Sequence, residues 1–167
     1  LISKGHHRIV GVFQVDDQQG VNRLDGYMKA YQALSALLTD CMPMMYKSDD
    51  VTQALHQINE LVVQSPTKRP TAIIAYNDQL AIRIIAMIHD LGLRVPEDIS
   101  VMGFDDFQLS QYLSPRLTTM THEKQRMGQD AAKLLIQKIN HHKVASIIYR
   151  PELIERDSVK DLSVQDD

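Results

Sequence analysis

Hydrophobic residues along the chain follow two different spacings, and the changes between them predict alternating strands and helices. Segments that are apolar, short and rich in β-branched residues are typical of buried strands. Three segments have this character, residues 8–15, 71–76 and 99–104, and residues 117–121 are expected to be extended. A weaker strand candidate at 41–46 is interrupted by Pro43, and a final one at 147–154 is expected to be bent or at an edge because of Pro151.

Between these segments, apolar residues recur every three or four positions, which predicts amphipathic helices. After a polar turn at 16–20, the first helix begins at Val21 and includes Leu24, Tyr27, Met28, Tyr31, Leu34 and Leu38 on one face. Ser48 is the predicted N-cap of a second helix with Val51, Leu55, Ile58 and Val62 facing inward. Asn77 is the predicted N-cap of a third helix that ends at Gly92, and a fourth helix spans 123–141. A short amphipathic segment at 107–113 ends before Pro115.

This alternation predicts an α/β fold, with a parallel sheet and helices on both of its faces. Residues 1–5 resemble the last turn of a helix that ends at Gly5, and there is no initiator Met, so we expect the chain to begin in the middle of a fold. The last dozen residues are polar and acidic, and we expect them to be frayed.

Composition narrows the functional classes. Of 167 residues, 44% are hydrophobic and 23% charged, which is typical of a soluble globular domain. The net charge of -3 argues against a free-standing nucleic-acid binder, because phosphate neutralisation needs a basic face. The single cysteine, Cys41, excludes an intrachain disulfide and is expected to be a packing residue in a reducing, cytoplasmic setting. No apolar run approaches the ~18 residues that cross a bilayer, so no membrane association is expected.

The sequence lacks four common motifs of cofactor-binding and catalytic sites. The seven glycines form neither GxGxxG nor GxxxxGK[ST], and neither GxSxG nor HExxH occurs. The two histidine pairs, 6–7 and 141–142, are adjacent in sequence, so their side chains diverge and metal binding is not expected. No nucleophile, base and orienting group fall together. We therefore expect neither a cofactor nor an enzymatic activity.

Polar side chains follow the ends of the predicted strands, where open α/β sheets bind their ligands. The candidates in chain order are Asp16, Asp17, Gln19, Arg23, Asn77, Asp78, Asp105, Asp106 and His122. A carboxylate can accept from two vicinal hydroxyls, an amide offers both a donor and an acceptor, and arginine supplies a rigid fork of donors. This combination favours a polyol ligand. Each residue also has an ordinary alternative: a helix cap for Asn77, turn residues for the aspartates, a solvated charge for Arg23 and a loop histidine for His122.

Two segments resemble the effector domain of LacI/GalR-type transcriptional regulators. They are RPTAIIAYNDQLAI at 69–82 and GLRVPEDISVMGFDD at 92–106. Further similarity lies in LISKGHHRI at 1–9, LTTM at 117–120 with Met127 and Gly128, and PELIERDS at 151–158. The resemblance covers nearly all of residues 1–159.

The resemblance implies a periplasmic-binding-protein-like core of two lobes, joined by three crossovers, with a sugar in the cleft between them. Residues 1–121 would be the C-terminal lobe, 122–143 a helix that returns to the other lobe, 144–159 the final strand segment and 160–167 a polar tail. The N-terminal lobe and a DNA-binding domain would precede residue 1. Arg23, Asn77, Asp105 and His122 fall on positions that commonly touch the effector, although the family often has Gln in place of His122.

The resemblance also implies a function, a bacterial repressor whose operator affinity falls when a sugar binds. Residues 16–23 and 151–154 are similar to arabinose-responsive members, which implies L-arabinose or a related sugar as the effector. The resemblance also implies a homodimer, and we expect its interface to include Leu80, Ile84, Met87, Leu109 and Tyr112. The alternative is that these residues belong to the core. Two alternatives remain open. One is a sugar-binding protein of a transport system, which shares the fold, and the other is a small α/β enzyme.

Overall fold

The computed structural model describes residues 1–35, 37–39 and 43–164, and its central element is a six-stranded sheet. In chain order the strands are β1 (Ile9–Gln14), β2 (Pro43–Tyr46), β3 (Ala72–Ala75), β4 (Ser100–Phe104), β5 (Thr118–Thr121) and β6 (Glu152–Ile154). They lie in the order β2-β1-β3-β4-β5-β6. The first five run parallel to their neighbours, and β6 pairs antiparallel with β5. The predicted parallel sheet is therefore confirmed, with one antiparallel edge strand.

In the part of the chain that the structure describes, four α-helices connect the strands: α1 (Gln18–Ala33), α2 (Val51–Val62), α3 (Asp78–Asp90) and α4 (Lys124–Ile139). The same residues include short 3₁₀ helices at Ile2–Lys4, Ser48–Asp50 and Gln108–Gln111. The first of these ends at Gly5, whose φ of 79° is left-handed, as the sequence predicts for a helix end.

Alternate residues of the strands face opposite sides of the sheet, and both sides carry helices. On one side, Val12, Ile73 and Val101 are fully buried in a large core that also contains Ile58 of α2 and Ile84 of α3. On the other side, a smaller cluster of Ile9 and Ala72 packs with residues of α1, including Tyr27 and Tyr31. The prediction of helices on both faces is therefore confirmed.

The helix starts show where local hydrogen bonding overrides the apolar spacing. Asp17 accepts a hydrogen bond from Gly20 N, and α1 consequently begins at Gln18, three residues before the predicted Val21. The helix ends at Ala33, so Leu38 lies outside it. Ser48 does not cap α2, because its hydroxyl donates to Asp16 instead. The Asn77 cap of α3 is confirmed by its hydrogen bond from Leu80 N.

The C-terminal segment differs from the prediction in two ways. Strand β6 covers only Glu152–Ile154, and residues 142–151 have no regular structure. The tail is attached rather than frayed up to Leu162, whose N–H donates to Lys4 O, while buried His6 donates from Nε2 to Lys160 O. These contacts join the two ends of the chain. Cys41 and the last three residues lie outside the described residues.

Helix α4 is largely exposed. None of its residues is buried, and Leu135, Ile136 and Ile139 are between 59% and 66% exposed. Among the described residues, no helix is long and apolar enough to span a membrane.

Candidate functional site

The side chain of Arg23 lies at the centre of the polar cluster beyond the carboxyl ends of the strands. Its Nη2 lies 2.8 Å from Asp105 Oδ1 and also donates to Gln19 Oε1, while Nη1 donates to the carbonyl oxygen of Tyr76 at 2.5 Å. The Arg23 side chain is only 12% exposed. A single guanidinium thus joins α1, the end of β3 and the loop after β4.

Two aromatic rings flank the Arg23 guanidinium. Its central carbon lies 3.8 Å from the centre of the Phe104 ring and 4.9 Å from that of Tyr76. Contact of a planar cation with ring faces adds to its hydrogen bonds and fixes the plane of the fork. The His122 ring lies 6.3 Å from Phe104, tilted by 39°, so His122 reaches the cluster through that ring.

The two aspartates after β4 turn toward different partners. Asp105 and Asp106 have left-handed φ values of 105° and 44°, which are uncommon for residues other than glycine. Asp105 pairs with Arg23, whereas Asp106 Oδ1 lies 2.7 Å from Nη2 of Arg156, which follows β6. Lys124, the first residue of α4, donates to the carbonyl oxygen of Asp105. The Asp105–Asp106 peptide therefore contacts three separate segments of the chain.

Asp17 supports the cluster from the start of α1. Besides capping the helix, it accepts a hydrogen bond from the hydroxyl of Tyr76. That hydrogen bond is the main reason that the pKa of Asp17 is below its ordinary value. Burial is the main reason that the pKa of Tyr76 is raised, and its hydrogen bond to Asp17 raises it further. The pair holds the Tyr76 ring next to Arg23.

Asp16 and Asn77 make hydrogen bonds to groups other than Arg23. Asp16 accepts from the backbone N–H and the hydroxyl of Ser48, and these bonds lower its pKa. Asn77 lines a separate cavity of about 190 Å³. Its other lining residues are Gln14, Tyr46, Ser48, Val51, Gln79, Leu80 and Arg83. The structure therefore assigns both residues local hydrogen bonds, at helix starts beside the Arg23 cluster.

A groove of about 530 Å³ begins at Arg23 and runs along the α1 side of the sheet. Gln19, Asn22 and Arg23, all on α1, contribute polar side chains to its lining. The remainder of the lining is mainly apolar, with Phe13, Tyr27, Ala30, Ile74, Ala75, Met102, Phe104 and Met120. A ligand at this site would meet hydrogen-bonding groups next to an apolar surface, which is the amphipathic character of a sugar ring.

Of the six predicted effector contacts, the structure brings four together. Arg23, Asp105 and Gln19 are hydrogen-bonded, and His122 joins them through Phe104. Within the described residues, no group of three or more histidine, cysteine, aspartate or glutamate side chains is arranged to hold a metal.

Sequence reasoning missed Tyr76, Phe104 and Arg156 as members of the cluster. The two aromatic residues stand at or just after the last position of a strand, directly before Asn77 and Asp105, and this placement was the available signal. No sequence signal pairs Arg156 with Asp106, which lies fifty residues earlier.

The predicted dimer residues differ in exposure. Leu80 and Ile84 are 3% and 0% exposed and belong to the core of this chain, so little of either side chain is left for a contact with a second chain. Met87 is partly buried against the same core. Leu109 and Tyr112 are 54% and 72% exposed around the 3₁₀ helix Gln108–Gln111. The apolar stripe of α3 is explained by its packing on the sheet.

Comparison with protein families gives a match over residues 1–159 to the periplasmic binding protein-like domain. The arabinose metabolism transcriptional repressor of Geobacillus stearothermophilus is 42% identical over 97% of this chain and 46% of its own length. The HTH-type transcriptional repressor PurR of Vibrio atlanticus is 33% identical over 98% of this chain and 49% of its own length. The chain spans about half the length of the curated relatives it matches.

Solved structures show the same fold. A LacI transcriptional regulator from a Rhodococcus species superposes with a TM-score of 0.85 at 24% identity, over 97% of this chain and 59% of that one. A Lac repressor dimer bound to operator and the anti-inducer ONPF gives a TM-score of 0.81 at 25% identity. That match covers 96% of this chain and 55% of the repressor.

Proposed function

This chain belongs to the family of periplasmic binding protein-like domains, and from that membership we propose that it is the sugar-sensing part of a bacterial transcriptional repressor. The relatives reported above are transcriptional repressors, which supports a regulator and a non-enzymatic role. Binding of the sugar next to Arg23 lowers the affinity of the whole protein for its operator. The protein acts in the cytoplasm, and its DNA-binding domain lies outside this chain.

The ion pair between Arg23 and Asp105 is the observation that carries the proposal. Its atoms are 2.8 Å apart and mostly shielded from water, at the edge where open α/β sheets bind ligands. Within the described residues only Oδ1 of Asp105 accepts a hydrogen bond, so Oδ2 is available to a sugar hydroxyl. Arginine carries five N–H donors, and the hydrogen bonds described here use three of them.

The arrangement suits a hydroxyl-rich ring. A sugar hydroxyl donates to Asp105 Oδ2, and another accepts from a remaining N–H of Arg23. Because a misplaced hydroxyl would leave a buried partner unsatisfied, such a site discriminates between epimers. The similarity to arabinose metabolism repressors supports L-arabinose, or a related sugar, as the ligand.

Regulation requires that the sugar bind one conformation more tightly than the other. Segments on either side of the site leave the lobe: β5 leads into α4, and β6 returns from it. Lys124 and Arg156, at these two junctions, both contact the Asp105–Asp106 loop. Sugar bound to Asp105 would thereby favour one arrangement of the junctions, which changes how a second lobe is held.

The repressor acts as a homodimer. This part of the proposal is supported by the solved structures of its structural relative, the Lac repressor, which are dimers. The exposed Leu109 and Tyr112 form the centre of the proposed contact, and partly buried Met87 extends it. Leu80 and Ile84 take no direct part because they are buried within this chain.

The test is an operator-release experiment on the full-length natural protein. Fluorescence anisotropy measures its affinity for a labelled DNA fragment taken from upstream of its own coding region. L-Arabinose at saturation is expected to weaken the affinity by at least about tenfold, which corresponds to a coupling of about 1.4 kcal/mol. Unchanged affinity with L-arabinose and with its epimers would overturn the proposal. Turnover of the sugar during the experiment would favour the enzyme alternative, and sugar binding without any DNA binding would favour the transport protein.

A further inference from the structure

Asp78, the first residue of α3, is a buried carboxylate outside the Arg23 cluster. Its residue exposure is 1%. Oδ2 accepts from Phe107 N at 2.7 Å and from the Ser110 hydroxyl at 2.5 Å, and Oδ1 accepts from the Thr119 hydroxyl at 2.6 Å. Three donors from the segment after β4 and from β5 therefore converge on one side chain.

A buried carboxylate is costly unless its oxygens are hydrogen-bonded. Among the described residues no cation pairs with Asp78, and burial raises its pKa, while its three hydrogen bonds act in the opposite direction. An ionised carboxylate only accepts hydrogen bonds, so it suits three donors together better than any neutral side chain. The carboxylate is compatible with its surroundings only while all three donors stay in place.

Those donors surround the loop that carries Asp105 and Asp106. Phe107 N follows the loop directly, and Thr119 lies opposite Gly103 in the register of β4 and β5. Thr119 Oγ1 also accepts a hydrogen bond from Asp106 N, at an N-to-O distance of 3.4 Å. The two aspartates have left-handed φ values that cost energy, and such conformations persist where neighbouring contacts hold them.

Strand β4 approaches Asp78 closely on the other side. A Cβ placed on Gly103 would lie 2.2 Å from Asp78 Oδ1. The carboxylate thus rests against the strand two residues before Asp105 and bonds to the backbone two residues after it. It fixes both ends of the loop.

We propose that Asp78 is a positioning residue for the sugar site. It holds the Asp105–Asp106 backbone in its left-handed conformation, so that Asp105 Oδ1 stays on Arg23 and Oδ2 faces the ligand. The identity of the ligand rests on the proposed function. The claim that Asp78 holds the Asp105–Asp106 backbone does not depend on any ligand.

The first experiment is a double-mutant cycle in the full-length protein with L-arabinose as the probe. Asp78→Asn keeps the volume but replaces one acceptor with a donor, and we expect the affinity to fall by at least about tenfold. In the Asp105→Ala background, the same change is expected to have almost no effect, because the carboxylate that it positions is gone. Equal losses in both backgrounds would show a merely structural role and overturn the inference.

Ser158→Ala is the matched control. Ser158 is also fully buried, accepts from Thr118 N and donates to Val101 O, but it does not touch the 105–107 segment. It is expected to lower thermal stability as Asp78→Asn does, with sugar affinity retained. A comparable loss of affinity in Ser158→Ala would attribute the effect to general destabilisation.

Crystal structures without ligand give a second, independent measurement. In Asp78→Asn, the Asp105 carboxylate is expected to move beyond hydrogen-bonding distance of Arg23, while in Ser158→Ala the 2.8 Å contact remains. An unchanged contact in Asp78→Asn would overturn the inference. If the natural protein bound no L-arabinose, the proposed ligand would be wrong, and this measurement would still decide the role of Asp78.

Discussion

Arg23 Nη2 lies 2.8 Å from Oδ1 of Asp105, a residue 82 positions further along the chain. The contact joins the second turn of α1 to the loop after β4, across the carboxyl edge of the sheet. The Arg23 guanidinium also lies over the Phe104 ring, 3.8 Å from its centre, and Phe104 directly precedes Asp105.

Replacing Asp105 with alanine is expected to weaken sugar binding by roughly 2–4 kcal/mol, because a charged acceptor is lost and Arg23 is left without its partner. Isothermal titration calorimetry with L-arabinose measures the change. Asp90→Ala is the control. It removes an exposed carboxylate at the C-terminal end of α3, and it should leave the affinity unaltered. Equal affinities of Asp105→Ala and the natural protein would remove Asp105 from the site.

Arg23→Lys keeps the charge but is expected to reduce sugar affinity by at least about tenfold. A lysine ammonium cannot lie flat on Phe104, and it cannot hold Tyr76 O, Gln19 and Asp105 with one rigid fork. The same calorimetric titration tests this, with Arg94→Lys at an exposed pair with Asp98 as the control. Full affinity in Arg23→Lys would show that charge alone is sufficient.

Gly103→Ala is expected to lower the free energy of unfolding by about 1–3 kcal/mol through overpacking. The new Cβ would lie 2.2 Å from Asp78 Oδ1 and 3.0 Å from a Leu117 methyl carbon. Gly128→Ala in α4 has open space around it and should raise stability by about 0.5–1 kcal/mol, because glycine is unfavourable within a helix. Denaturant unfolding measures both, and a neutral Gly103→Ala would contradict the close approach.

The ionised Asp17 side chain is expected to make the free energy of unfolding depend on pH. Its hydrogen bond from Tyr76 places the folded-state pKa below the ordinary value of about 3.9, so it stabilises the fold above that pH. This contribution is lost as the pH falls through the folded-state pKa. Asp17→Asn retains a helix cap, and its deficit in melting temperature should be larger at pH 6 than at pH 3. The exposed Asp25→Asn in the same helix is the control, and an equal deficit at both pH values would contradict the prediction.

A charge on the exposed surface around the 3₁₀ helix Gln108–Gln111 is expected to prevent dimer formation. Tyr112→Asp changes a side chain that is 72% exposed, so the fold of the single chain should survive while an apolar contact between chains is lost. Sedimentation velocity of the full-length protein measures the oligomeric state. Val63→Asp, at an exposed site after α2, should remain dimeric. A dimeric Tyr112→Asp would place the interface elsewhere.

The order of strands and helices could be predicted because the spacing of hydrophobic residues differs between a strand and a helix. The strand at β3 and the Asn77 cap of α3 follow from a short apolar run and the next polar residue, and both are confirmed. The rule that ligands bind at carboxyl ends of strands also placed Arg23 and Asp105 at the same edge, where the structure joins them.

The hydrogen-bonding and stacking partners of the side chains were harder to predict from the sequence, because they depend on how distant segments of the chain pack together. The stacking of Arg23 on Phe104 and the pairing of Asp106 with Arg156 need the three-dimensional register of the sheet. For the same reason, the apolar stripe of α3 did not reveal its partner, and Ile84 packs on the sheet instead of a second chain.

If the Arg23–Asp105 pair forms a stereospecific sugar site, calorimetry of the full-length protein with L-arabinose and its epimers should reveal it. We expect one-to-one binding of L-arabinose, at least about tenfold weaker binding of epimers that misplace one hydroxyl, and the loss of this preference in Asp105→Ala. Equal binding of all the sugars, or a preference that survives in Asp105→Ala, would contradict it.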